Sequence, residues 1–485
     1  MDIERKYNRG AKIVLFISIL AIPMQLITTA LISRISSEAS GTLGLLEIFY
    51  NGVIAFFMLG GETGIIKLLT NKGETDKKKI FIIKYMIVCI LFFLVLTLGL
   101  RIFNIDIIQM ITGQEESTSY LMYFAALFVI MNNILLAYIK ESEKFIHYAI
   151  GIKLFNIGNL IAVLYVFFIA KDSNIQNILL VFMGLLQLIN VIYIIIKEKI
   201  FSKVNIQKHG KIDLTMFKYL FFLYLSMILV FVYDKIDQII VVNKLGLSIL
   251  GGYYLVVKVV NMVKLLPNIY NSTFYPYICK TLKKENANFI LNHILNKNLM
   301  FIYPLTIIVV LNSNLIISIL FGTEYLSYSV ILQILTSIVL FSSPTQILNN
   351  FLYAVGDSKK YFIISFLSVM LQVILITALI DKFGLIIVVI ARGASTLLIL
   401  LLCMIGLNKM GYKMKLDKNY YIDSAITILL LIVTNILKFS NIVYVVVTIV
   451  LLSIFVFKNR EYLLNLLPKH KINILEKNEN EEEKK

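Results

Sequence analysis

Glu47, Glu62, Lys84 and Lys153, and later Asp234, Lys235, Asp237, Lys258, Lys264 and Arg392, are ionisable side chains set inside long apolar runs. A charge at the centre of a bilayer costs about 2.5–3.5 kcal/mol on insertion scales, so such residues face one another or a watery interior and mark ion or substrate paths. Polar partners stand at helical spacing beside several of them: Asn51 after Glu47, Asn156 after Lys153, and Asn261 after Lys258. Residues three or four apart share a helix face, so each pair makes a polar stripe. Lys153, Lys258, Lys264 and Arg392, with Asn156 and Asn261, are the candidates for lining a substrate cleft. Glu47, Glu62, Asp234 and Asp237 are the candidates for binding a coupling ion such as H+ or Na+, or for pairing between halves of the molecule. Asp234 and Asp237 share a face, from which Lys235 points away. The modest excess of cations in this set leans towards an anionic substrate.

Other chemistry is missing from the sequence. There is no Gly-rich phosphate loop, no metal-ligand spacing and no Ser-His-acid set, so neither a cofactor nor a catalytic residue is expected. The histidines, His147, His209, His293 and His470, fall at the ends of apolar segments or between them, and no loop is large enough to house the nucleotide site of an ATP-driven pump. Cys89, Cys279 and Cys403 lie in or at the ends of apolar segments, which excludes a disulfide framework. The formal net charge is +17. Its lysines are spread over many short loops instead of clustering on one soluble unit, which speaks for lipid headgroups and against nucleic acid. A secondary transporter, a facilitator and a membrane enzyme with scattered catalytic residues remain.

These residues are carried by about fourteen apolar segments between Ile13 and Phe457, each near the 20 residues that cross a bilayer as a helix. Helices satisfy their own backbone polar groups in lipid, so the expected fold is an all-α polytopic membrane protein. The first segment has no small-residue cleavage site and is expected to stay as a span. Most of the 46 Lys and Arg fall on alternate loops. The positive-inside rule then predicts a cytoplasmic N-terminus and C-terminus, in agreement with an even number of spans.

The hydrophilic stretch 198–213 divides the chain into a six-helix lobe, 1–197, and a second, 214–407. A terminal helix pair follows over 408–458, and an acidic and polar tail over 459–485. Two six-helix bundles around a central cleft, with an appended pair, are the pattern of a duplicated transporter. The trace of an internal repeat is Ser40-Gly-Thr-Leu-Gly44 after the first segment and Leu247-Ser-Ile-Leu-Gly251 after the seventh.

Short motifs add to this. Asp237-Gln-Ile-Ile is followed by Lys244-Leu-Gly, Leu250-Gly-Gly-Tyr-Tyr254 and Phe274-Tyr-Pro276. Further on come Phe321-Gly-Thr-Glu-Tyr325, Gly356-Asp-Ser-Lys-Lys-Tyr361 and Lys382-Phe-Gly-Leu385, with Gly60-Gly-Glu-Thr-Gly64 near the start. Together they resemble bacterial polysaccharide flippases of the Wzx type, within the multidrug, oligosaccharidyl-lipid and polysaccharide exporter superfamily. Glu62 departs from that pattern, standing where the family has Leu after Gly. The resemblance implies alternating access and a substrate made of an oligosaccharide on undecaprenyl diphosphate, moved to the outer leaflet of the bacterial cytoplasmic membrane for O-antigen, capsule or exopolysaccharide. It also implies a polysaccharide polymerase and chain-length proteins as partners. A lipid II flippase of the same superfamily would share the helix count. A cation-coupled multidrug exporter would have about twelve helices and a more acidic cleft, and a polysaccharide polymerase would need a large outer loop.

Overall fold

The computed structural model describes residues 2–458 apart from 71–74, 107–108, 110–111, 113–119, 171–173, 202–213, 282–283, 356–357, 413–417 and 438–439. Most of the linker 198–213, the start of the Gly356 motif and the tail 459–485 therefore lie outside the described residues. Every described element is a helix. In chain order they are α1 (Asp2–Ser33), α2 (Ser37–Phe57), α3 (Gly61–Thr70), α4 (Thr75–Ile102), α5 (Tyr120–Glu141), α6 (Phe145–Gly151), α7 (Leu154–Phe168) and α8 (Ile175–Lys197). There follow α9 (Leu214–Leu245), α10 (Leu247–Thr281), α11 (Lys284–Leu311), α12 (Ser313–Leu320), a 3-10 turn (Thr323–Tyr328), α13 (Ser329–Val355), α14 (Ser358–Phe383), α15 (Leu385–Lys409), α16 (Lys418–Leu437) and α17 (Asn441–Lys458).

Among the described residues, ten helices are long and apolar enough to cross a membrane, and α6 with α7, bent by 43°, make an eleventh span. Helices α16 and α17 carry shorter apolar stretches, Ser424–Leu437 and Asn441–Phe457. With the 32-residue α9, they account for the about fourteen segments read from the sequence. The protein is a multi-span membrane protein. Large apolar side chains such as Phe16, Val95, Ile374 and Ile436 are exposed around its flanks, where water would penalise them and lipid would not.

Packing sorts the helices into two groups. Helices α1–α8 contact one another, as do α9–α15, while α16 and α17 lie against α11, and α16 also against α13. Helix α2 joins the groups by packing on α9 and, most extensively, on α10. In its membrane segment 78% of residues are buried, against 33% for α14, so α2 is a central helix and α14 a lipid-facing one.

Small residues let α2 and α10 approach closely at one end, as they do in membrane helix pairs generally. A Cβ on Gly41 would overlap the carbonyl oxygen of Leu247, and one on Gly251 would overlap that of Ser37. The Ser37 and Ser248 hydroxyls share a hydrogen bond of 2.7 Å across the contact. Beside them the Tyr325 hydroxyl donates to the Ser33 carbonyl at 3.1 Å, and Ser33 donates to that of Phe321 at 3.3 Å. These contacts close one end of the molecule.

Helix α2 stops where Gly60 and Gly61 take φ of 100° and 61°, a region open to glycine at little cost. The break frees carbonyls, and the Tyr85 hydroxyl on α4 donates to that of Leu59 at 2.6 Å, which lets the interruption persist within a membrane.

Candidate functional site

Glu47 lies on α2 roughly 15 Å along the axis from the closed end, at 1.5 Å per residue. Its carboxylate is held across the contact between the two helix groups. Lys235 on α9 donates to Oε1 at 2.9 Å, Lys258 on α10 pairs with Oε2 at 2.5 Å, and the Tyr254 hydroxyl donates to Oε2 at 3.0 Å. The Lys258 ammonium also sits over the Tyr254 ring, 5.1 Å from its centroid, within cation–π range. Asn51, one turn further along α2, donates to the Glu47 main-chain carbonyl at 2.7 Å. Their polar stripe is thus made in part by a bond to the helix's own backbone.

A second set of charges stays inside the α9–α15 group. Asp237 is fully buried. Its Oδ2 accepts from the Arg392 guanidinium on α15 and from the Tyr253 hydroxyl at 2.6 Å, and its Oδ1 from the Gln238 amide at 2.8 Å. Ser395 and Thr396 donate to the Arg392 carbonyl at 2.9 and 2.8 Å, and Thr396 shares a hydrogen bond of 3.1 Å with Tyr233.

Between these sets opens a cleft of about 460 Å³, lined in part by Glu47, Asp234, Lys235, Asn261, Lys264 and Arg392. It runs from the Glu47 cluster away from the closed end, reaching Ser226, Asn268, Asn349 and Phe362. Lys264 is half-buried there and Asp234 exposed, and neither makes an ion pair among the described residues. The basic side chains of the lining are Lys235, Lys264 and Arg392, against the two acidic ones of Glu47 and Asp234. That arrangement suits an anion.

The structure brings most, but not all, of the sequence candidates to this place. Lys258 backs the Glu47 cluster and lines, with Asn156, Asn159, Thr28 and Gln25, a separate pocket of about 10 Å³, the size of one water. Lys153 stands at the break between α6 and α7, outside the lining of both cavities. Glu62 lies elsewhere: Lys140 and the Tyr148 hydroxyl donate to it, so among the described residues its partners are within α1–α8. Two groups that the sequence did not single out now belong to the site, Tyr253 and Tyr254, and Lys235, read from the sequence as an intramembrane charge but given neither a cleft nor a coupling role, joins them. Lys235 carried a signal, since it sits in the Asp234–Asp237 turn on the face opposite the carboxylates, and that face is the one turned to α2. The tyrosines announce themselves only as an aromatic pair after the small residues Gly251 and Gly252.

No protein-family model matches the sequence, and no curated protein does. Solved structures share the fold. The lipid II flippase MurJ in its inward closed conformation superposes with a TM-score of 0.70 at 16% identity, covering 93% of this chain and 99% of that one. A point mutant of the Vibrio cholerae MATE transporter VcmN gives 0.56 at 11% identity over 86% and 98% of the two chains. An outward-facing multidrug resistance MATE family transporter of the MOP superfamily gives 0.55 at 12% over 83% and 97%. These neighbours are transporters and flippases, and at such identities they establish a common architecture. The polysaccharide-flippase branch suggested by the motifs is a narrower reading.

Proposed function

We propose that the protein is a flippase that carries an oligosaccharide on undecaprenyl diphosphate from the cytoplasmic to the outer leaflet of a bacterial cytoplasmic membrane, by alternating access between the α1–α8 and α9–α15 groups. The observation that carries this reading is the cleft. It bears cations in the middle of a membrane fold, is sealed at one end by the α2–α10 crossing, and is walled by α9, α10, α13, α14 and α15, with Glu47 and Asn51 of α2 facing it from the other helix group. A diphosphate and its sugars would occupy the cleft while the lipid tail stays in the bilayer. The alternate placement of Lys and Arg puts both termini in the cytoplasm, which makes the α2–α10 end the outer one and turns the cleft towards the cytoplasm. Lys264 and Arg392 would contact the substrate, and a polymerase with its chain-length proteins would consume the product.

The test is a deletion in the native host. Accumulated undecaprenyl-diphosphate-linked oligosaccharide with loss of surface glycan, both reversed by the gene, is the expected result. Unchanged glycan with heightened sensitivity to cationic drugs would replace this reading with a multidrug exporter. The fuller overlap with the lipid II flippase fold favours one second reading, in which the carried glycan is the cell-wall precursor. Depletion would then halt wall synthesis and leave other surface glycans untouched.

A further inference from the structure

The Glu47 carboxylate receives two ammonium groups and a phenol, one or more donors on each oxygen: Lys235 at 2.9 Å, Lys258 at 2.5 Å and Tyr254 at 3.0 Å. Two cations around one carboxylate leave a positive charge unbalanced. Strong, charge-assisted hydrogen bonds converging on both oxygens are what a phosphate group asks of its site, and a doubly charged oxyanion would balance the lysines better than one carboxylate does. Glu47 and Lys235 also line the cleft, so this cluster is reached from the space where a substrate would sit. The donors come from α9 and α10, whereas the carboxylate comes from α2 in the other helix group.

We infer that Lys235, Lys258 and Tyr254 form an oxyanion subsite for the diphosphate of the lipid carrier, and that Glu47 fills it in the empty protein as a tethered surrogate anion. This rests on the proposal that the substrate is a lipid-linked diphosphate. A diphosphate entering the cleft, met first by Lys264, displaces the Glu47 side chain and takes over its donors. The displacement removes the ionic ties of α2 to α9 and α10 found in this structure. What then holds the two groups together is the small-residue crossing with its Ser37–Ser248 bond, the Ser33 bonds to Tyr325 and Phe321 beside it, and apolar packing such as Phe56 on Phe231, so loading the site loosens the contact that must part for the cleft to face the other way. Without ligand the carboxylate restores the ties, which guards against reorientation of an empty cleft.

The experiment titrates purified protein in nanodiscs with inorganic pyrophosphate and, separately, with undecaprenyl diphosphate, by calorimetry. Glu47→Gln removes the surrogate charge and keeps the side-chain shape. The expected result is binding of both ligands at least about tenfold tighter than in the wild type, a gain that Lys235→Met added to Glu47→Gln abolishes. Equal or weaker binding in Glu47→Gln overturns the inference, and so does a gain for pyrophosphate that undecaprenyl diphosphate does not share. If Glu47→Gln cannot be recovered as monodisperse protein, Lys235→Met alone decides. It must weaken wild-type binding of undecaprenyl diphosphate about tenfold, and unchanged binding overturns the subsite. The deletion experiment above is blind to Glu47. Accumulated lipid-linked oligosaccharide with no gain in Glu47→Gln sinks the surrogate and spares the flippase, and a gain without accumulation does the reverse.

Discussion

Charges in the same cleft play different parts, and substitutions should separate them. Arg392 is the partner of a fully buried carboxylate, Asp237, on a neighbouring helix of the same group. Removing one member of a buried ion pair costs about 3–5 kcal/mol, because the other charge stays behind without compensation, whereas replacing both is often nearly neutral. Arg392→Ala is therefore expected to lower the thermal unfolding temperature of the purified protein sharply, and Asp237→Asn combined with Arg392→Gln to recover most of the loss. Equal losses in the single and the double variant would show that the pair carries no such weight. Lys264 has no ion pair among the described residues, so Lys264→Ala should leave unfolding unchanged and reduce glycan export. Normal export would take it off the substrate path. That charges exist within spans was legible from the sequence, and in the structure Lys264, Arg392 and Asn261 line the cleft. Who pairs with whom was not legible. Glu47 and Lys235 are 188 residues apart, and nothing in local spacing tells that the α9 face bearing Lys235 turns to α2 while the Asp237 side turns to α15. Glu62 shows the opposite case. As an unexpected carboxylate in an apolar segment it looked functional, yet Lys140 and Tyr148 close by in the fold give it a place inside one helix group.

Helix α2 is the element on which the two halves meet, and its contact with α10 is written in the sequence as a repeat. Ser40-Gly-Thr-Leu-Gly44 and Leu247-Ser-Ile-Leu-Gly251 are matched by position in the two halves, and the structure sets them face to face. Gly41 abuts the Leu247 carbonyl, Gly251 abuts that of Ser37, and the Tyr254 ring lies on Gly44. A self-similar pair of small-residue segments can bring two backbones close from both sides at once, which is the geometry that compact membrane crossings favour. The faint likeness was therefore a sign of an interface. If this crossing opens during transport, joining its sides must stop the cycle. Cysteines in place of Ser37 and Ser248, whose hydroxyl oxygens are 2.7 Å apart, are expected to form a disulfide in a variant freed of its native cysteines. Glycan export should cease on oxidation and return with reductant. Export that persists with the cross-link complete would mean that this end never parts. The break between α6 and α7, bent by 43°, escaped the sequence reading, which set Lys153 inside an apolar run. Gly151 packs against the Leu136 side chain there, a contact set by tertiary packing and invisible in hydropathy.

At the scale of the whole molecule, the number of apolar segments was readable because lipid imposes one length and one kind of structure on each. The grouping around α2 is a matter of packing, which alone shows that α16 and α17 settle on α11 and α13. Orientation rests on charge alone, and the functional proposal depends on it. A cleft turned to the cytoplasm meets substrate made there, and the same cleft in an inverted protein would face the wrong pool. Basic residues near the ends of short loops resist translocation, so their alternate placement predicts the side of every loop together. Glu324, in the 3-10 turn beside the closed end, and Lys199, just after α8, are both exposed and lie on opposite predicted sides. Single cysteines at these positions, tested in intact cells with a membrane-impermeant thiol reagent, are expected to label at 324 and to stay protected at 199 until the membrane is opened. The reverse pattern would turn the cleft outward and leave the flippase without access to a cytoplasmic substrate in this conformation. It would also place Lys264 and Arg392 towards the exterior, where an importer or a receptor for an extracellular anion would be the better account of the same cations.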